Sequence, residues 1–259
     1  MTDMLRTKYL SDEESDFIAI SHPEILDPKF CPTCNGDGYF SYRYKRPRKC
    51  DCELQCQLYR HYLAAGIPAT YMRLDWGDFK GSSSVKQAAV EYASKHQQYI
   101  DSSIGLMLTG DNGIGKTLIL TLLLKDMLKR GYKGFFTTAD DLFAMKTDGW
   151  TDDMEKKRFE KKVKNSKILV IDDAGKEFAN RLTKQVFDSL VRYRSQNALT
   201  TLISSNKHLK ELGAEYGQSF VSLIKGGYIV QEVDGKDYRE QALQIRLGEI
   251  DKGWTRPIV

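Results

Sequence analysis

A glycine-rich octapeptide near the middle of the chain carries the residue types that bind nucleotide phosphates. Its positions are Gly110, Asp111, Asn112, Gly113, Ile114, Gly115, Lys116 and Thr117. The octapeptide matches the P-loop pattern; an apolar run precedes it and a leucine-rich stretch follows, which predicts strand, loop and helix. The alternative, a glycine turn beside a surface lysine, does not account for both flanks. In a P-loop, Lys116 reaches the β and γ phosphates and the Thr117 hydroxyl binds Mg²⁺, so ATP and Mg²⁺ are the expected cofactors.

A second group of chemically active residues ends an apolar run further along the chain. Ile168 to Ile171 predicts a buried strand, and Asp172 and Asp173 follow it. Taken alone, two acids after a strand are more often a turn or a helix cap. With a P-loop upstream we interpret them as Walker B acids, because phosphoryl transfer needs charge neutralisation and a positioned nucleophile. Asp172 is then expected to hold the Mg²⁺ shell and Asp173 to orient the attacking water.

The run Thr201 to Ser204 predicts another buried strand, and Asn206 closes the polar residues after it. This is where an ATPase places a γ-phosphate sensor, which makes Asn206 a further candidate for catalysis. The same residue is an equally good N-cap for a helix over Lys207 to Leu212. Both interpretations can hold together.

All five cysteines lie between positions 31 and 56. Cys31, Cys34, Cys50 and Cys52 form two close pairs, the layout of a structural site in which four thiolates hold Zn²⁺ tetrahedrally. The second pair is tighter than usual, and Cys56, one helical turn beyond Cys52, is the alternative fourth ligand. Five reduced cysteines packed in a small core are disfavoured because the surrounding residues are polar. The pattern therefore predicts a zinc-binding module.

Basic and aromatic residues are mixed between the two cysteine pairs. The segment Tyr39 to Lys49 contains five bases and four aromatic residues, a combination that follows phosphates and stacks on bases in single-strand binding. A solvated charged face on a zinc hairpin is the alternative. A second basic group over Lys156 to Lys164 is diluted by Glu155 and Glu160, and we interpret it as a solvated helix.

The composition sets the class of protein. The chain has 259 residues, of which 41% are hydrophobic and 29% charged, values typical of a folded globular protein of one or two domains. No apolar run approaches the roughly 20 residues of a membrane span, and the start of the chain lacks the apolar core of a signal peptide. We therefore expect a cytoplasmic protein without a membrane partner. The net charge of +4 is too small to indicate a nucleic-acid partner by itself.

Apolar runs and helical patterns alternate from Gly105 onward, which predicts an α/β fold with a parallel sheet covered by helices. The predicted strands are Gly105 to Thr109, Gly134 to Thr137, Ile168 to Ile171 and Thr201 to Ser204. The predicted helices are Glu53 to Ala65, Val85 to Ile100 with a cap at Ser82 to Ser84, Thr117 to Arg130, Ala139 to Lys146, Thr151 to Lys164 and Thr183 to Gln196. The expected domains are an acidic N-terminal segment over residues 1–30, a zinc-binding module and helix over 31–66, and an ATPase domain over 67–259.

The order of these motifs resembles one family. The chain is similar to the AAA+ ATPases of the DnaC/DnaI helicase-loader and IstB transposition-helper group. The resemblance is carried by the cysteine module, Gly66-Ile67-Pro68, the P-loop, Ile171 to Gly175, Arg192-Tyr193, Ser204 to Asn206 and Asp237-Tyr238-Arg239. A cysteine module ahead of the ATPase looks like the DnaI-type and phage-encoded loaders. The resemblance implies a three-layer P-loop AAA+ core behind a small zinc-binding module. It also implies a homo-oligomer, formed on nucleotide or DNA binding, that delivers a replicative DNA helicase to single-stranded DNA.

The resemblance also implies roles for single residues. Arg239 is expected to act as the sensor-2 arginine. Where family members usually carry the arginine finger that reaches the neighbouring subunit's nucleotide, this chain has Ser222, so Lys225, Arg192 and Arg194 become the substitutes. The expected function is an ATPase that loads a replicative helicase during replication initiation. The alternatives are an IstB-like transposition helper and an ATP-gated adaptor with little hydrolysis.

Overall fold

The computed structural model describes residues 31–41, 46–81, 83–175, 181–253 and 255–259. The predicted acidic segment over residues 1–30, the hairpin residues Tyr42 to Lys45 and the predicted capping residue Ser82 lie outside the described residues. The chain divides into two compact units. One holds the described residues up to Asp78 together with Tyr238–Val259, and the other spans Phe79–Asp237. The first unit extends past the predicted boundary after residue 66, and residues 238–259 belong to it although the predicted ATPase domain over 67–259 includes them.

The first unit begins with a small hairpin and two helices. These elements are β1 (Tyr39–Phe40), β2 (Arg48–Lys49), α1 (Cys52–Ala64) and α2 (Ala69–Met72). The two strands pair antiparallel. Asp51 caps α1 by accepting a hydrogen bond from the Leu54 amide at 3.4 Å. The helix ends at Ala64, within one residue of the predicted end at Ala65, and Gly66, whose φ of 71° lies in the left-handed region, follows it.

The second unit is organised around a five-stranded parallel sheet in the order β4-β5-β6-β3-β7. Its strands are β3 (Gly105–Thr109), β4 (Gly134–Thr138), β5 (Ile168–Ala174), β6 (Thr200–Ser205) and β7 (Tyr228–Glu232). The four predicted strands are confirmed, and every residue of β3 and β6 is buried, as a parallel sheet between helices requires. The sequence pattern does not predict β7, because this edge strand is only partly buried and its apolar run is short.

Two helices precede the sheet of the second unit and others connect its strands. They are α3 (Ser83–Ser94), α4 (His96–Asp101), α5 (Lys116–Lys129), α6 (Ala139–Asp148), α7 (Asp153–Phe159), α8 (Arg181–Gln196), α9 (Leu209–Tyr216) and α10 (Gln218–Gly227), and α11 (Arg239–Ile250) follows in the first unit. The predicted helix over Val85 to Ile100 is two helices, since the backbone leaves the helical conformation at Lys95. The predicted helix over Thr151 to Lys164 is α7 continued by a π-helical segment, Glu160–Lys164. In the part of the chain that the structure describes, no helix has the length and apolarity of a membrane span.

One hydrophobic core cluster of the second unit packs α8 and α10 against the sheet. Its fully buried members are Val163, Leu169, Ile171, Val191, Ile203, Phe220 and Ile224. Because β5, β6 and β3 are neighbours and parallel, their carboxyl ends meet at one edge of the sheet. The core therefore places the P-loop after β3 beside the polar residues that end β5 and follow β6.

Candidate nucleotide site and metal centre

The candidate nucleotide site lies at the carboxyl ends of three adjacent strands. β3 leads into the P-loop, β5 contains Asp172 and Asp173, and Asn206 follows β6. The predicted residues meet there although 90 positions separate Lys116 from Asn206. A ligand site at the carboxyl edge is the general arrangement in open α/β sheets.

The P-loop adopts a backbone that its glycines permit. Gly113 and Gly115 have φ angles of 76° and 95°, in the left-handed region. Neighbouring side chains also leave no room for a Cβ, which on Gly115 would lie 2.7 Å from the Phe79 ring and on Gly113 2.1 Å from the Asp237 carboxylate. Gly115 directly precedes α5. The loop thus ends at a helix N-terminus, where a phosphate is favoured.

The Lys116 ammonium is held in the loop by three oxygen acceptors. Its Nζ donates to the carbonyl oxygens of Gly110 and Asp111 at 2.8 and 2.6 Å. It also donates to Asn206 Oδ1 at 2.8 Å. The side chain is buried, so its charge is satisfied by the protein. Phosphate oxygens, which form stronger charge-assisted hydrogen bonds, are able to replace these acceptors.

Asp172 connects the P-loop to β6. The Thr117 hydroxyl donates to the Asp172 carboxylate, whose two oxygens lie 2.9 and 3.0 Å from Thr117 Oγ1. The Ser204 hydroxyl donates to the same carboxylate. Burial raises the pKa of Asp172, although these two hydrogen bonds act in the opposite direction. A hydroxyl and a carboxylate at this spacing are hard oxygen donors, so the pair fits Mg²⁺.

Asp173 leaves the regular ladder of β5. The register of β5 against β6 shifts between Ile171 and Ala174, and Asp173 has a φ of 58°, which is uncommon for a residue other than glycine. Its amide donates to the Ser204 hydroxyl at 2.9 Å. The Asn206 side-chain amide donates to Asp173 Oδ1 at 3.1 Å. Strained backbone of this kind is maintained by its surroundings and is enriched at functional sites.

Asn206 links the P-loop lysine to the second acid. Its side-chain oxygen accepts from Lys116 and its side-chain amide donates to Asp173. The alternative role as a helix cap is wrong, because α9 begins only after His208, which occupies the cap position. The Asn206 side chain therefore forms hydrogen bonds within the candidate nucleotide site and does not cap a helix.

Three residues at this site escape the sequence reasoning. Ser204 contacts both acids of β5, Phe79 lies against Gly115, and Asp237 lies against Gly113. Ser204 carries a usable signal, since it is a hydroxyl near the end of an apolar strand next in the chain after Walker B. Phe79 carries none, and Asp237 stands out only as part of the family motif Asp237-Tyr238-Arg239. The contacts of both residues with the P-loop are distant in sequence and depend on the tertiary fold.

The candidate metal centre is the cysteine cluster of the first unit. The Sγ atoms of Cys31, Cys34, Cys50 and Cys52 all lie within 4.8 Å of one another. The Sγ–Sγ distance is 3.6 Å for Cys31 and Cys50, and 3.3 Å for Cys34 and Cys52. Zn–S bonds of about 2.3 Å in a tetrahedron place sulfur atoms about 3.8 Å apart. The cluster therefore fits Zn²⁺.

The electrostatics of the cluster also favour a cation. Burial, reinforced by Cys31, raises the pKa of Cys50, and burial raises the pKa of Cys52 to about 11. For Cys34, burial opposes ionisation, but hydrogen bonds from Cys52 and the Gly38 amide lower its pKa to about 7. Four thiolates at this spacing repel one another unless a cation binds them.

Cys56 lies outside this group. It is buried in α1, and the four clustered sulfur atoms do not include its own. Sequence spacing left Cys52 and Cys56 as alternatives, whereas the geometry of the described residues favours Cys52. Cys56 lies one helical turn after Cys52 in α1, and its side chain is buried apart from the cluster.

The two basic surfaces differ in what their side chains contact. Arg46, Arg48 and Lys49 of the hairpin are exposed, and Tyr39 is 59% exposed. In the π-helical segment, by contrast, Lys162 lies over the Phe135 ring at 5.4 Å and Lys164 over the Tyr193 ring at 4.5 Å. These lysines contribute to packing.

Comparisons with known proteins decide the family. The family model described as IstB-like ATP binding protein matches residues 55–224, which is more than half of the chain. The chain belongs to this family. Its membership confirms the resemblance inferred from the motifs.

Relatives of this IstB-like chain include proteins of two kinds. An IS21-like insertion-sequence ATP-binding protein of Bacteroides fragilis is 31% identical over 125 residues, which are 47% of this chain and 61% of that protein. The chain thus spans less than two thirds of that relative. The replicative helicase loader DnaC of Escherichia coli is 20% identical over 173 residues, 66% of this chain and 71% of that protein.

A solved structure shows the same fold. The crystal structure of the DnaC helicase loader matches with a TM-score of 0.57 and 23% sequence identity, covering 64% of this chain and all of that chain. The IstB-like chain therefore has a P-loop AAA+ core with a parallel sheet, and its cysteine cluster precedes that core in sequence. The predicted fold class is confirmed.

One candidate for the arginine finger of the IstB-like core is wrong. Arg194 is completely buried. Its guanidinium donates to Thr201 Oγ1 at 2.9 Å, to the Val163 carbonyl at 3.0 Å and to the Thr200 carbonyl at 2.7 Å. Burial lowers its pKa to about 10. A side chain enclosed in this way is a core residue and does not reach a neighbouring subunit.

The other predicted residues outside the P-loop site lie on surfaces. Ser222 and Lys225 are exposed on α10. Arg192 is partly exposed, and its Nε lies 2.9 Å from an Asp188 carboxylate oxygen. Arg239 is the exposed first residue of α11 in the first unit. The roles of these residues in trans or as sensors remain predictions.

Proposed function

We propose that this IstB-like chain is an ATPase that loads a replicative DNA helicase onto single-stranded DNA during replication initiation. The ATPase part is supported by one observation, the hydrogen bonds that connect Lys116, Asn206 and Asp173 at the carboxyl edge of the sheet. The helicase part is supported by the similarity to the DnaC loader and by the cysteine cluster ahead of the ATPase core. We also propose that the protein is cytoplasmic and forms homo-oligomers on nucleotide or DNA binding.

The proposed reaction assigns a task to each residue of the site. Lys116 exchanges the loop carbonyls for oxygens of the β and γ phosphates and neutralises their charge. Thr117 and Asp172 supply the protein oxygens for Mg²⁺, which neutralises the phosphates further when bound. Asp173 accepts a hydrogen bond from the attacking water and orients it. Asn206 is hydrogen-bonded to both Lys116 and Asp173 and is proposed to sense the γ-phosphate. Arg239 is proposed as the second sensor.

A transposition helper is the second candidate function. It is favoured by the family model and by the 31% identity to the insertion-sequence protein of Bacteroides fragilis. The chemistry of the nucleotide site is then the same, but the partner protein is a transposase and the polynucleotide is duplex DNA.

Two measurements separate these functions. Steady-state ATP hydrolysis above that of Lys116→Ala is expected, and its absence would leave an ATP-gated adaptor as the better description. Co-purification with the replicative helicase of the same host, dependent on ATP, supports the loader. Retention of a transposase in place of the helicase supports the transposition helper and overturns the loader.

Single-stranded DNA binding is proposed for the hairpin between the cysteine pairs. A variant with alanine at Tyr42, Arg43, Tyr44 and Arg46 is expected to bind about tenfold more weakly, with a salt slope smaller by about 1 to 2 because two phosphate contacts are lost. The control removes lysines of the basic helix: Lys156, Lys157 and Lys161. Unchanged affinity of the hairpin variant at two salt concentrations contradicts the assignment.

A further inference from the structure

Residues 255–259 are held against the other parts of the first unit by main-chain hydrogen bonds. The Thr255 amide donates to the Ser41 carbonyl at 2.7 Å, and the Val259 amide donates to the Met72 carbonyl at 3.3 Å. The Tyr62 hydroxyl donates to the main-chain oxygen of Val259 at 2.9 Å. These acceptors and donors come from the hairpin, α1 and α2. The segment is therefore contacted through its backbone along its length.

The Gln55 side chain binds both main-chain groups of one residue in this segment. Its Nε2 donates to the Ile258 carbonyl at 3.2 Å, and its Oε1 accepts from the Ile258 amide at 2.6 Å. Gln55 and Ile258 are 6% and 3% exposed. A buried side-chain amide that donates to and accepts from the main chain of one residue makes the same hydrogen bonds as a neighbouring strand. Such a contact accepts, at the bound position, any residue whose side chain fits. The buried Ile258 side chain is the apolar anchor of the contact.

The same glutamine is bonded to the loop that carries two of the clustered cysteines. The Thr33 hydroxyl donates to Gln55 Oε1 at 2.7 Å. Thr33 stands between Cys31 and Cys34, and its amide donates to Cys31 Sγ at 3.4 Å. The helix that carries Gln55 begins with Cys52. The loop and the helix that hold the segment thus both contain cysteines of the cluster.

Arg73 makes a second connection between this loop and the segment. Its guanidinium donates to the carbonyl oxygens of Pro32 and Arg256. Arg256 is itself paired with Glu249 of α11, at 2.8 Å, and with Asp78, at 2.6 Å. The position of the segment therefore depends on the cysteine loop on one side and is coupled to α11 on the other.

We propose that the zinc module contains a peptide-binding site whose ligand is segment 255–259 of the same chain, and that metal binding by the four cysteines shapes this site. The ligand class is a short peptide whose backbone is bound by Gln55 and whose apolar side chain occupies the place of Ile258. Strands of two residues do not hold the cysteine loop by themselves, so the loop and its Thr33 hydroxyl depend on the metal for their position. This site goes beyond the proposed ATPase and its test does not involve ATP.

Hydrogen–deuterium exchange of the full chain tests the site at the amides of Thr255, Ile258 and Val259. We expect Gln55→Ala to accelerate their exchange about tenfold or more while zinc stays at about one ion per chain. Gln57→Ala, on the same helix but partly exposed and bonded to Glu53, is the matched control and leaves them unchanged. Removal of the metal with a chelator accelerates the same amides, while the amides of β3 and β6 stay protected.

Unchanged exchange in Gln55→Ala overturns the peptide site. Unchanged exchange after chelation, with zinc loss verified by metal analysis, overturns the dependence on metal. If Gln55→Ala also loses zinc, Ile258→Asp decides, because it alters the ligand and not the cysteine loop. This variant should release the segment and retain zinc. It should also bind an added synthetic peptide with the sequence of residues 255–259. Continued protection of its own segment, or failure to bind the peptide, contradicts the proposal.

Discussion

The nucleotide site and the cysteine cluster satisfy their polar groups in opposite ways. In the nucleotide site, Lys116 is bonded to loop carbonyls and Asn206, and Asp172 to two hydroxyls, so the protein itself supplies the partners. In the cysteine cluster, four thiols approach within 4.8 Å and burial raises the pKa of Cys50 and Cys52. Hydrogen-bonded groups keep their arrangement without a ligand, whereas clustered thiolates need a cation. Loss of nucleotide and loss of metal should therefore have different structural consequences.

Replacing one cysteine gives the largest expected effect. Cys50→Ser should reduce bound zinc from about one ion per chain to less than about half, and the local structure of the module should be lost, because the metal supplies its folding free energy. Metal analysis and exchange of the α1 amides measure this. Cys56→Ser is the matched control and should keep its zinc. Zinc loss in Cys56→Ser with zinc retention in Cys52→Ser would reverse the assignment of the fourth ligand.

Removing the P-loop lysine tests the nucleotide site, which should stay folded without its ligand. Lys116→Ala should weaken ATP binding about 100-fold, because a buried cation that meets the phosphates is lost, but the sheet should stay folded. Calorimetric titration gives the affinity, and circular dichroism gives the fold. Lys129→Ala, an exposed lysine on the same helix, is the control. Undiminished affinity in Lys116→Ala is incompatible with the P-loop assignment.

Changing the second acid should separate binding from turnover. Asp173→Asn keeps the hydrogen-bonding shape and should bind ATP normally, but its turnover should fall about 100-fold because the group that orients water is lost. Steady-state hydrolysis together with equilibrium binding measures both quantities. Normal turnover would show that Asp173 has a structural role only.

The buried acid offers a pH test of the nucleotide site. The pKa of Asp172 in the folded chain lies above the ordinary 3.8. The protonated carboxyl therefore stabilises the folded chain fully at pH values below 3.8, and this stabilisation is lost as the pH rises through the raised pKa. Asp172→Asn removes the buried charge and should stabilise the ligand-free chain at neutral pH by roughly 1 kcal/mol, at the expense of Mg²⁺ binding.

Thermal unfolding across pH measures that difference, which should disappear in acid. Asp140→Asn, at an exposed position of α6, is the control and should show no such trend. Destabilisation of Asp172→Asn at neutral pH would mean that the two donated hydrogen bonds outweigh burial.

The smallest expected effect concerns Lys225, which we predict to contribute to ATP hydrolysis in a neighbouring subunit. Lys225→Ala should lower an already weak turnover about threefold, since a lysine is a point charge that matches phosphate less well than arginine does. Lys210→Ala, also exposed, is the control. Adding Lys116→Ala subunits, which keep Lys225, should rescue the Lys225→Ala chain if this group acts in trans. Fast turnover that is independent of protein concentration would exclude the need for any group in trans.

Local sequence patterns were sufficient for the nucleotide motifs. The P-loop and the two acids are each contiguous, and each follows a continuous apolar run, so strand, turn and chemistry lie within a few residues of one another. The same reasoning predicted four of the five strands of the sheet. It missed β7, an edge strand whose partial burial weakens the apolar signal, and it placed one helix where the chain forms α3 and α4.

The motifs, the fold class and the family resemblance can be recognised without a structure, because they depend on residues that are close in the chain. The contacts between distant residues become visible only in the folded chain: Asn206 with Lys116, Ser204 with both acids, and Cys52 in place of Cys56. Arg194 shows the limit most directly, since exposed and enclosed arginines look alike in a sequence and only packing separates them. The segment 255–259 is held by a hydrogen bond from Gln55, which lies 203 positions away from Ile258. Pairing across such a separation is set by how the whole chain folds, and no local pattern encodes it.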